Sequence, residues 1–136
     1  MIEGFIYKYG KKIKITLVTI FVVIWALIIG YAGVCAKNNK DVTFFGYKPY
    51  FIVSGSMEPA INTWSIVFGE PVDLNNIKEG DIISYERLDG TKTVIHRVIR
   101  INDDGTYTFK GDNNKSSIPS DIGVTKEQLR YKIVKF

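Results

Sequence analysis

The fold of this chain is indicated most clearly by one stretch, Thr93-Val94-Ile95-His96-Arg97-Val98-Ile99-Arg100-Ile101. It is the longest run of mostly β-branched residues that reads as a strand, and alternate side chains of a strand point to the same face. His96 therefore shares a face with Val94 and Val98, and it is the single histidine in 136 residues. A lone histidine on an apolar face is more often a satisfied core residue, but a neutral imidazole can also accept a proton from a hydroxyl at physiological pH.

Shorter runs of β-branched and aromatic residues surround this stretch, and turn residues such as Gly, Asp and Asn separate them. Strands are predicted over residues 50–53, 66–68, 82–85, 93–101, 106–109 and 131–136. Thr125 and Gln128 predict a capping box that opens one short helical turn over residues 126–129. The spacing of these elements predicts a compact antiparallel β domain, so that the fold class is mainly β.

An uncharged segment precedes the predicted β domain. Residues 15–36 form a run of 22 residues without a charge, and a helix of that length covers roughly 33 Å, enough to span a bilayer. A cleavable signal peptide has a shorter apolar core, of about 7 to 15 residues. We therefore predict an N-terminal segment over 1–14, a transmembrane helix over 15–36 and a β domain over 37–136. Lysines flank both ends of the helix, so the positive-inside rule barely decides its orientation.

Charge and cysteine content narrow the range of partners. The net charge is +4, from 18 Lys and Arg against 14 Asp and Glu, and four lysines ahead of the apolar segment supply that amount. The remaining chain is near neutral and carries no nucleic-acid-binding motif, so a nucleic-acid partner is not expected. Cys35 is the single cysteine, which leaves no intrachain disulfide. No cluster of His, Cys and acidic residues has metal-ligand spacing, so neither a metal nor another cofactor is expected.

Two hydroxyls lie close together in a second stretch, Ser54-Gly55-Ser56-Met57-Glu58-Pro59. In an extended strand, residues i and i+2 point to the same side, about 6.6 Å apart, so both serines can face one space. Gly55 between them lets another backbone come close. The alternative is a polar strand end that runs into a loop.

These stretches carry a resemblance to a known family. The chain resembles type I signal peptidases, and more narrowly the endoplasmic-reticulum-type, or Ser-His, subgroup of archaea, some Gram-positive bacteria and the eukaryotic signal peptidase complex. In that subgroup a histidine replaces the lysine base. Four blocks match in order: Ser54-Gly55-Ser56-Met57-Glu58-Pro59, Gly80-Asp81-Ile82-Ile83-Ser84-Tyr85, Val94-Ile95-His96-Arg97-Val98-Ile99, and Lys110-Gly111-Asp112-Asn113-Asn114 followed by Asp121. The resemblance covers roughly residues 45–134 and implies a β domain of the signal-peptidase/LexA-like type.

The resemblance implies a serine endopeptidase with a Ser-His dyad or a Ser-His-Asp triad. Ser56 would be the nucleophile and His96 its general base, and an aspartate would orient the imidazole. The oxyanion hole would consist of the Ser56 N–H and the Ser54 hydroxyl. For the aspartate, the family usually has its second acidic residue about six positions after the first, where this chain has Ile118. We therefore favour Asp121, with Asp112 as the alternative and as a candidate ion-pair partner of Arg97.

By the same resemblance, the substrates would be secretory preproteins, from which the enzyme removes N-terminal signal peptides. The catalytic domain, residues 37–136, would be extracytoplasmic on a single-pass anchor in the cell membrane, or in the endoplasmic reticulum membrane if the source is eukaryotic. The lipid bilayer is the other expected partner, and further subunits are left open. Four apolar residues after the helix either rest on the membrane or belong to the core, namely Phe44, Phe45, Tyr47 and Phe51.

Two other interpretations compete with this one. A self-cleaving repressor of the LexA type shares the general fold but uses a lysine base and has no membrane helix, so His96 and residues 15–36 argue against it. The other is a catalytically inactive, membrane-tethered β module of the same fold. The presence of Ser56, His96 and Asp112 argues against a loss of activity.

Overall fold

The chain folds into a long helix followed by a β domain. The structure is a computed structural model and describes residues 2–38, 40–88, 90 and 92–135. The chain divides between residues 42 and 43 into two compact units. The predicted fold class, mainly β with one N-terminal apolar helix, is confirmed.

The first unit is built on helix α1, Ile2–Lys37. Its stretch Gly10–Lys37 has 28 residues and a mean hydropathy of 2.5, so by length and composition it could cross a membrane. The predicted span, residues 15–36, lies inside this stretch. The helix begins well before that span, and residues 2–14 contain no proline that would interrupt it.

In the described part of the second unit, six strands form an antiparallel sheet in the order β1-β2-β6-β3-β4-β5. The strands are β1 Lys48–Phe51, β2 Ile66–Pro71, β3 Ile82–Glu86, β4 Thr93–Ile101, β5 Tyr107–Lys110 and β6 Leu129–Lys135. Each corresponds to a predicted strand, and β4 matches its prediction at both ends. The predicted end of the last strand, Phe136, lies outside the described residues.

The start of strand β1 and one helical turn can each be explained by the residues found there. Strand β1 begins two residues earlier than predicted and includes Pro49, which is tolerated because β1 is an edge strand. The predicted helical turn is confirmed as a 3-10 helix, Lys126–Gln128. There the Thr125 N–H donates to Gln128 Oε1 over 2.9 Å, which is half of the expected capping box.

Alternating side chains give the sheet an apolar cluster on each face. One cluster lies mainly on β3, β4 and β5 and consists of Ile83, Tyr85, Val98, Tyr107, Phe109, Val124 and Leu129. The other consists of Ile52, Met57, Ile61, Val67, Ile82 and Ile133. Strand β3 contributes to both clusters, and on β4 Val98 belongs to the first cluster while the partly buried Ile95 packs against the second. The side chains of these two strands are therefore held from both faces of the sheet.

The apolar residues that follow the helix do not join either cluster. Phe44 is 39% exposed, Tyr47 41%, Phe51 58% and Phe45 101%. The interpretation of these residues as core is therefore wrong. They form part of the surface of the β domain, where Phe51 also contacts the exposed ring of Trp64 at a centroid distance of 5.9 Å.

Candidate active site

The two serines of the hydroxyl pair lie at the start of a short 3-10 helix, Gly55–Met57. Ser54 before it has an extended backbone, and its Oγ lies 3.3 Å from the Oγ of Ser56. Met57 is buried in the second apolar cluster and anchors the turn there, while Ser56 beside it stays partly exposed. The sequence Ser-Gly-Ser-Met thus fixes the turn through one apolar side chain and leaves the hydroxyls accessible.

His96 lies opposite this turn, in the first half of β4. Its side chain is buried, and its Nε2 lies 3.2 Å from Ser56 Oγ. Residues 93–96 pair with β3 on one side, whereas β5 pairs with β4 only from Arg97 onwards. The other edge of β4 is therefore free of a neighbouring strand at the histidine, and that opening admits the serine turn.

Asp121 contacts the other nitrogen of the imidazole. It ends the 3-10 helix Pro119–Asp121, is fully buried, and its Oδ2 lies 3.0 Å from His96 Nδ1. The same oxygen accepts the N–H of Ile118 over 3.3 Å, and the phenol of Tyr85 donates to Oδ1. Burial alone would raise the pKa of Asp121, but the hydrogen bonds from His96 and Tyr85 outweigh it, and the pKa lies below its usual value.

The tautomer of His96 follows from the ionised state of the Asp121 carboxylate. Because the carboxylate of Asp121 only accepts, His96 Nδ1 carries the proton and Nε2 is left as an acceptor for the Ser56 hydroxyl. Serine, histidine and aspartate then form one continuous line of hydrogen bonds. Such a line can withdraw a proton from the hydroxyl as its oxygen attacks an electrophile.

Asp112 lies apart from the imidazole. Its carboxylate makes a two-point contact with the guanidinium of Arg97, at 2.9 Å from Nε and 2.6 Å from Nη2. Arg97 also donates to the Gly80 carbonyl, 2.8 Å away. The predicted ion pair between Arg97 and Asp112 is therefore present. The structure brings Ser56, His96 and Asp121 together and places Asp112 on the neighbouring arginine.

The turn that carries Asp112 also touches the serine turn through two residues to which sequence reasoning assigned no role. The Asn113 N–H donates to the Ser56 carbonyl over 2.9 Å, and Asn113 Nδ2 donates to the Gly55 carbonyl over 3.1 Å. Gly111 packs so closely that a Cβ there would lie 2.6 Å from the Ser56 carbonyl oxygen and 2.9 Å from His96 Nε2. The block Gly-Asp-Asn-Asn was visible in the sequence, but its contacts depend on tertiary packing.

Tyr85 is a further site residue that sequence reasoning missed, because it was read only as part of a strand. No local signal marks it. Tyr85 shares the face of β3 with Ile83, and Ile83 pairs with His96. Only this strand pairing places the tyrosine on the face of the sheet where Asp121 reaches the imidazole.

A groove of about 400 Å³ opens beside the Ser56 hydroxyl and the His96 imidazole. It runs between the chain just after β1 and the unpaired edge of β4, and the Asn114 side chain contributes to its wall. Among the residues that the structure describes, no group of three or more His, Cys, Asp or Glu side chains is arranged to hold a metal ion. The groove is lined by residues 51–54, 56–57, 92–96, 114 and 118.

The arrangement of Ser56, His96 and Asp121 is similar to the one that serine hydrolases use, and it lies in a β domain that follows one apolar helix. No family model matches the chain. The chain is similar to "Signal peptidase I W" of Bacillus subtilis, with 29% identity over 119 residues, which are 82% of this chain and 62% of that protein.

Eukaryotic relatives carry related names. "Signal peptidase complex catalytic subunit SEC11" of Debaryomyces hansenii is 30% identical over 110 residues, 78% of this chain and 64% of that protein. "Signal peptidase complex catalytic subunit SEC11C" of Homo sapiens is 34% identical over 80 residues, 56% of this chain and 40% of that protein. The chain is therefore a homologue of the signal peptidases, as its motifs predicted. It spans less than two thirds of the length of these relatives.

Proposed function

We propose that this chain is a membrane-anchored serine endopeptidase that removes N-terminal signal peptides from secretory preproteins. The observation that carries the proposal is the continuous line of hydrogen bonds from Ser56 through His96 to Asp121, which opens onto a groove. The names of the relatives support the substrate class. An ordinary core histidine would not need a buried carboxylate on one nitrogen and an accessible serine on the other.

In the proposed reaction, Ser56 Oγ attacks the carbonyl carbon of the scissile peptide bond while its proton passes to His96 Nε2. The tetrahedral intermediate collapses when His96 returns that proton to the leaving amine, and an acyl-enzyme on Ser56 remains. A water molecule, deprotonated by His96, then hydrolyses the ester. Asp121 accepts the Nδ1 hydrogen throughout and stabilises the imidazolium that forms in each half-reaction.

The negative charge on the carbonyl oxygen needs donors of its own. We assign this role to the backbone N–H of Ser56 and to the hydroxyl of Ser54, whose Oγ is 3.3 Å from the Ser56 Oγ. Both residues line the groove. A donor that bonds to the oxyanion more strongly than to the ground-state carbonyl accelerates the reaction by about 100-fold to 1000-fold.

The groove suggests how the substrate binds. The free edge of β4 at residues 93–96 can accept an extended peptide as an added strand, with main-chain hydrogen bonds supplying affinity. Substrate side chains would then enter the groove at alternate positions. By resemblance to the family, these are small residues at the first and third positions before the cleaved bond.

The membrane arrangement follows from the same proposal. With the stretch Gly10–Lys37 across a bilayer, enzyme and preprotein share one membrane, and the β domain acts on its outer side. The N-terminus would be cytoplasmic, and the membrane would be the cell membrane, or that of the endoplasmic reticulum if the source is eukaryotic. A C-terminal tag in sealed inside-out vesicles should resist added protease, and its digestion would contradict this topology.

The activity is tested with the full-length protein in detergent micelles and a radiolabelled preprotein. Wild type should release the mature fragment, Ser56→Ala and His96→Ala should release none above background, and Ser54→Ala should retain a measurable remnant. Mass spectrometry of the products locates the cut. An inactive β module would show no cleavage in any form, and cleavage that survives His96→Ala would assign the base to another residue.

A further inference from the structure

The carboxylate of Asp121 is held at both of its oxygens. Oδ2 lies 3.0 Å from His96 Nδ1 and accepts the Ile118 N–H, while Oδ1 accepts the phenol hydroxyl of Tyr85. Without the phenol, Oδ1 would be a charged oxygen in a fully buried side chain with no donor from these groups. Tyr85 thus completes the hydrogen bonding of the carboxylate that contacts the imidazole.

The position of Tyr85 is itself fixed by packing. Its ring is fully buried and stacks on Phe109, with a centroid distance of 4.7 Å and an interplanar angle of 30°. Its backbone pairs with Val94 on one side and Leu129 on the other. The ring therefore cannot swing away, and the hydroxyl approaches Asp121 from a rigid part of the sheet.

We propose that Tyr85 is a positioning residue, which holds Asp121 so that Oδ2 faces His96 and the imidazole keeps the tautomer that serves Ser56. The inference rests on the proposed function and deepens it. Tyr85 touches neither the nucleophile nor the substrate groove, so its effect passes through the carboxylate. The unit that activates the serine then has four members, of which only Ser56 and His96 face the groove.

The surrounding charges agree with this role. Among the residues that the structure describes, the titratable groups that hydrogen-bond to the carboxylate are the His96 imidazole from β4 and the Tyr85 phenol from β3. Burial and the hydrogen bond to Asp121 raise the pKa of Tyr85, so the phenol keeps its proton and stays a donor. Arg87, just after β3, opposes that shift only weakly. On the far side of the imidazole lies the neutral Ser56 hydroxyl.

The test is Tyr85→Phe in the full-length protein, in detergent micelles. We expect kcat to fall by about tenfold with KM nearly unchanged, because one hydrogen bond to a charged group is lost. The acidic limb of the kcat/KM profile should move to higher pH, because a carboxylate with one donor fewer holds the imidazolium proton more strongly. Since the chain has one histidine, NMR of its imidazole should show the same upward movement without any turnover.

The matched control is Tyr107→Phe. Tyr107 is also buried in the first apolar cluster, but it makes no hydrogen bond to Asp121 among the described contacts. This variant should keep the wild-type pH profile and imidazole titration. A loss of stability alone would lower activity equally at every pH, and that pattern in Tyr85→Phe would overturn the inference.

A second experiment, in the Asp121→Asn variant, keeps the inference testable if Tyr85→Phe alone fails to fold. In Asp121→Asn, which removes the buried charge, adding Tyr85→Phe should leave the imidazole titration unchanged, and an equal shift in both backgrounds would overturn the inference. The two proposals also fail separately. If wild type cleaves no preprotein, the proposed function is wrong, whereas normal cleavage with an unmoved titration in Tyr85→Phe removes only the role of Tyr85.

Discussion

Two turns beside the serine turn each carry an aspartate, and the two aspartates differ in burial and in hydrogen-bond partner. In the turn at 118–121, Asp121 is fully buried and bonds to His96 and Tyr85. In the turn at 111–114, the side chain of Asp112 is 20% exposed and bonds to Arg97. The first turn presents a charge to the imidazole, and the second presents backbone and amide donors to the serine turn.

The difference follows from the alternation of side chains along β4. His96 and Arg97 are adjacent, so they point to opposite faces of the sheet, and a carboxylate on either face meets only one of them. The apolar face that holds His96 also holds Tyr85 and requires its carboxylate to be fully bonded. The aspartate that contacts the imidazole is therefore the one whose turn reaches the same face of the sheet, whatever its distance along the chain.

The largest expected effect separates the two aspartates directly. Asp121→Asn should lower kcat by about four orders of magnitude, because an amide can present a donor to the imidazole and favour the wrong tautomer. Asp112→Asn should lower kcat by about tenfold or less, since it weakens a partly exposed ion pair. Preprotein cleavage rates of the two purified variants, compared at saturating substrate, measure this directly.

Circular dichroism should show that both aspartate variants are folded. If Asp112→Asn had the larger effect on kcat, the comparison would be reversed, and Asp112 would have to reach the imidazole during the reaction. Equal losses in the two variants would mean that the turns act as one unit.

The second prediction concerns the steric role of the 111–114 turn. Gly111→Ala should lower kcat/KM by about 100-fold, because its Cβ would lie 2.6 Å from the Ser56 carbonyl oxygen and the serine turn would have to shift. Because this oxygen belongs to the backbone of Ser56, the clash cannot be relieved by the rotation of a side chain. Single-turnover cleavage rates of the variant measure the loss.

A glycine that follows the other turn is the matched control. Gly123 has a φ of 71°, and a Cβ added there would meet no heavy atom within 4 Å. Gly123→Ala should therefore cost about 1 kcal/mol of stability and leave the cleavage rate nearly intact. If Gly123→Ala lost most of its cleavage rate while Gly111→Ala stayed active, the cleavage rate would depend on backbone strain and not on the contact between Gly111 and Ser56.

The smallest predicted effect is on stability at acidic pH. The pKa of Asp121 is lowered in the folded state, so its ionisation stabilises the fold above the ordinary carboxyl pKa of about 3.9, and this contribution disappears as the pH falls through the folded-state pKa. Thermal unfolding of wild type and Asp121→Asn between pH 6 and pH 3 should show the wild type losing more stability.

If both proteins lost stability in parallel over that range, the hydrogen bonds of Asp121 would not favour its charged form. The comparison between a buried, charge-presenting turn and an exposed, ion-paired turn would then lose its electrostatic basis. The geometric difference between the two turns would remain.

Much of the fold could be predicted because its signals are local. A run of 22 uncharged residues indicates a helix by itself, and the alternating residues of 93–101 indicate a strand whose ends were both correct. The boundary of β1 was less predictable, since it depends on pairing with β2 and on whether an edge can accept Pro49. The start of α1 was missed because no residue marks it.

The residues of the candidate site also fall into those that local sequence predicts and those that it does not. Ser54, Ser56 and His96 could be named from residue types and motif spacing, since few hydroxyl pairs and only one imidazole were available. Asp121 could be favoured over Asp112 only by an argument about loop length. Tyr85, Gly111 and Asn113 received no role, because nothing local in their sequence shows which distant group they contact.

Composition and short-range periodicity are enough to predict an apolar helix, a β domain and the groups from which a nucleophile and a base could be chosen. The contacts between those groups depend on the tertiary structure. Strand pairing brings Tyr85 within reach of Asp121, and side-chain alternation gives one aspartate to the histidine and the other to Arg97. Contacts across 25 to 40 residues depend on the packing of the whole sheet, and local sequence carries little information about them.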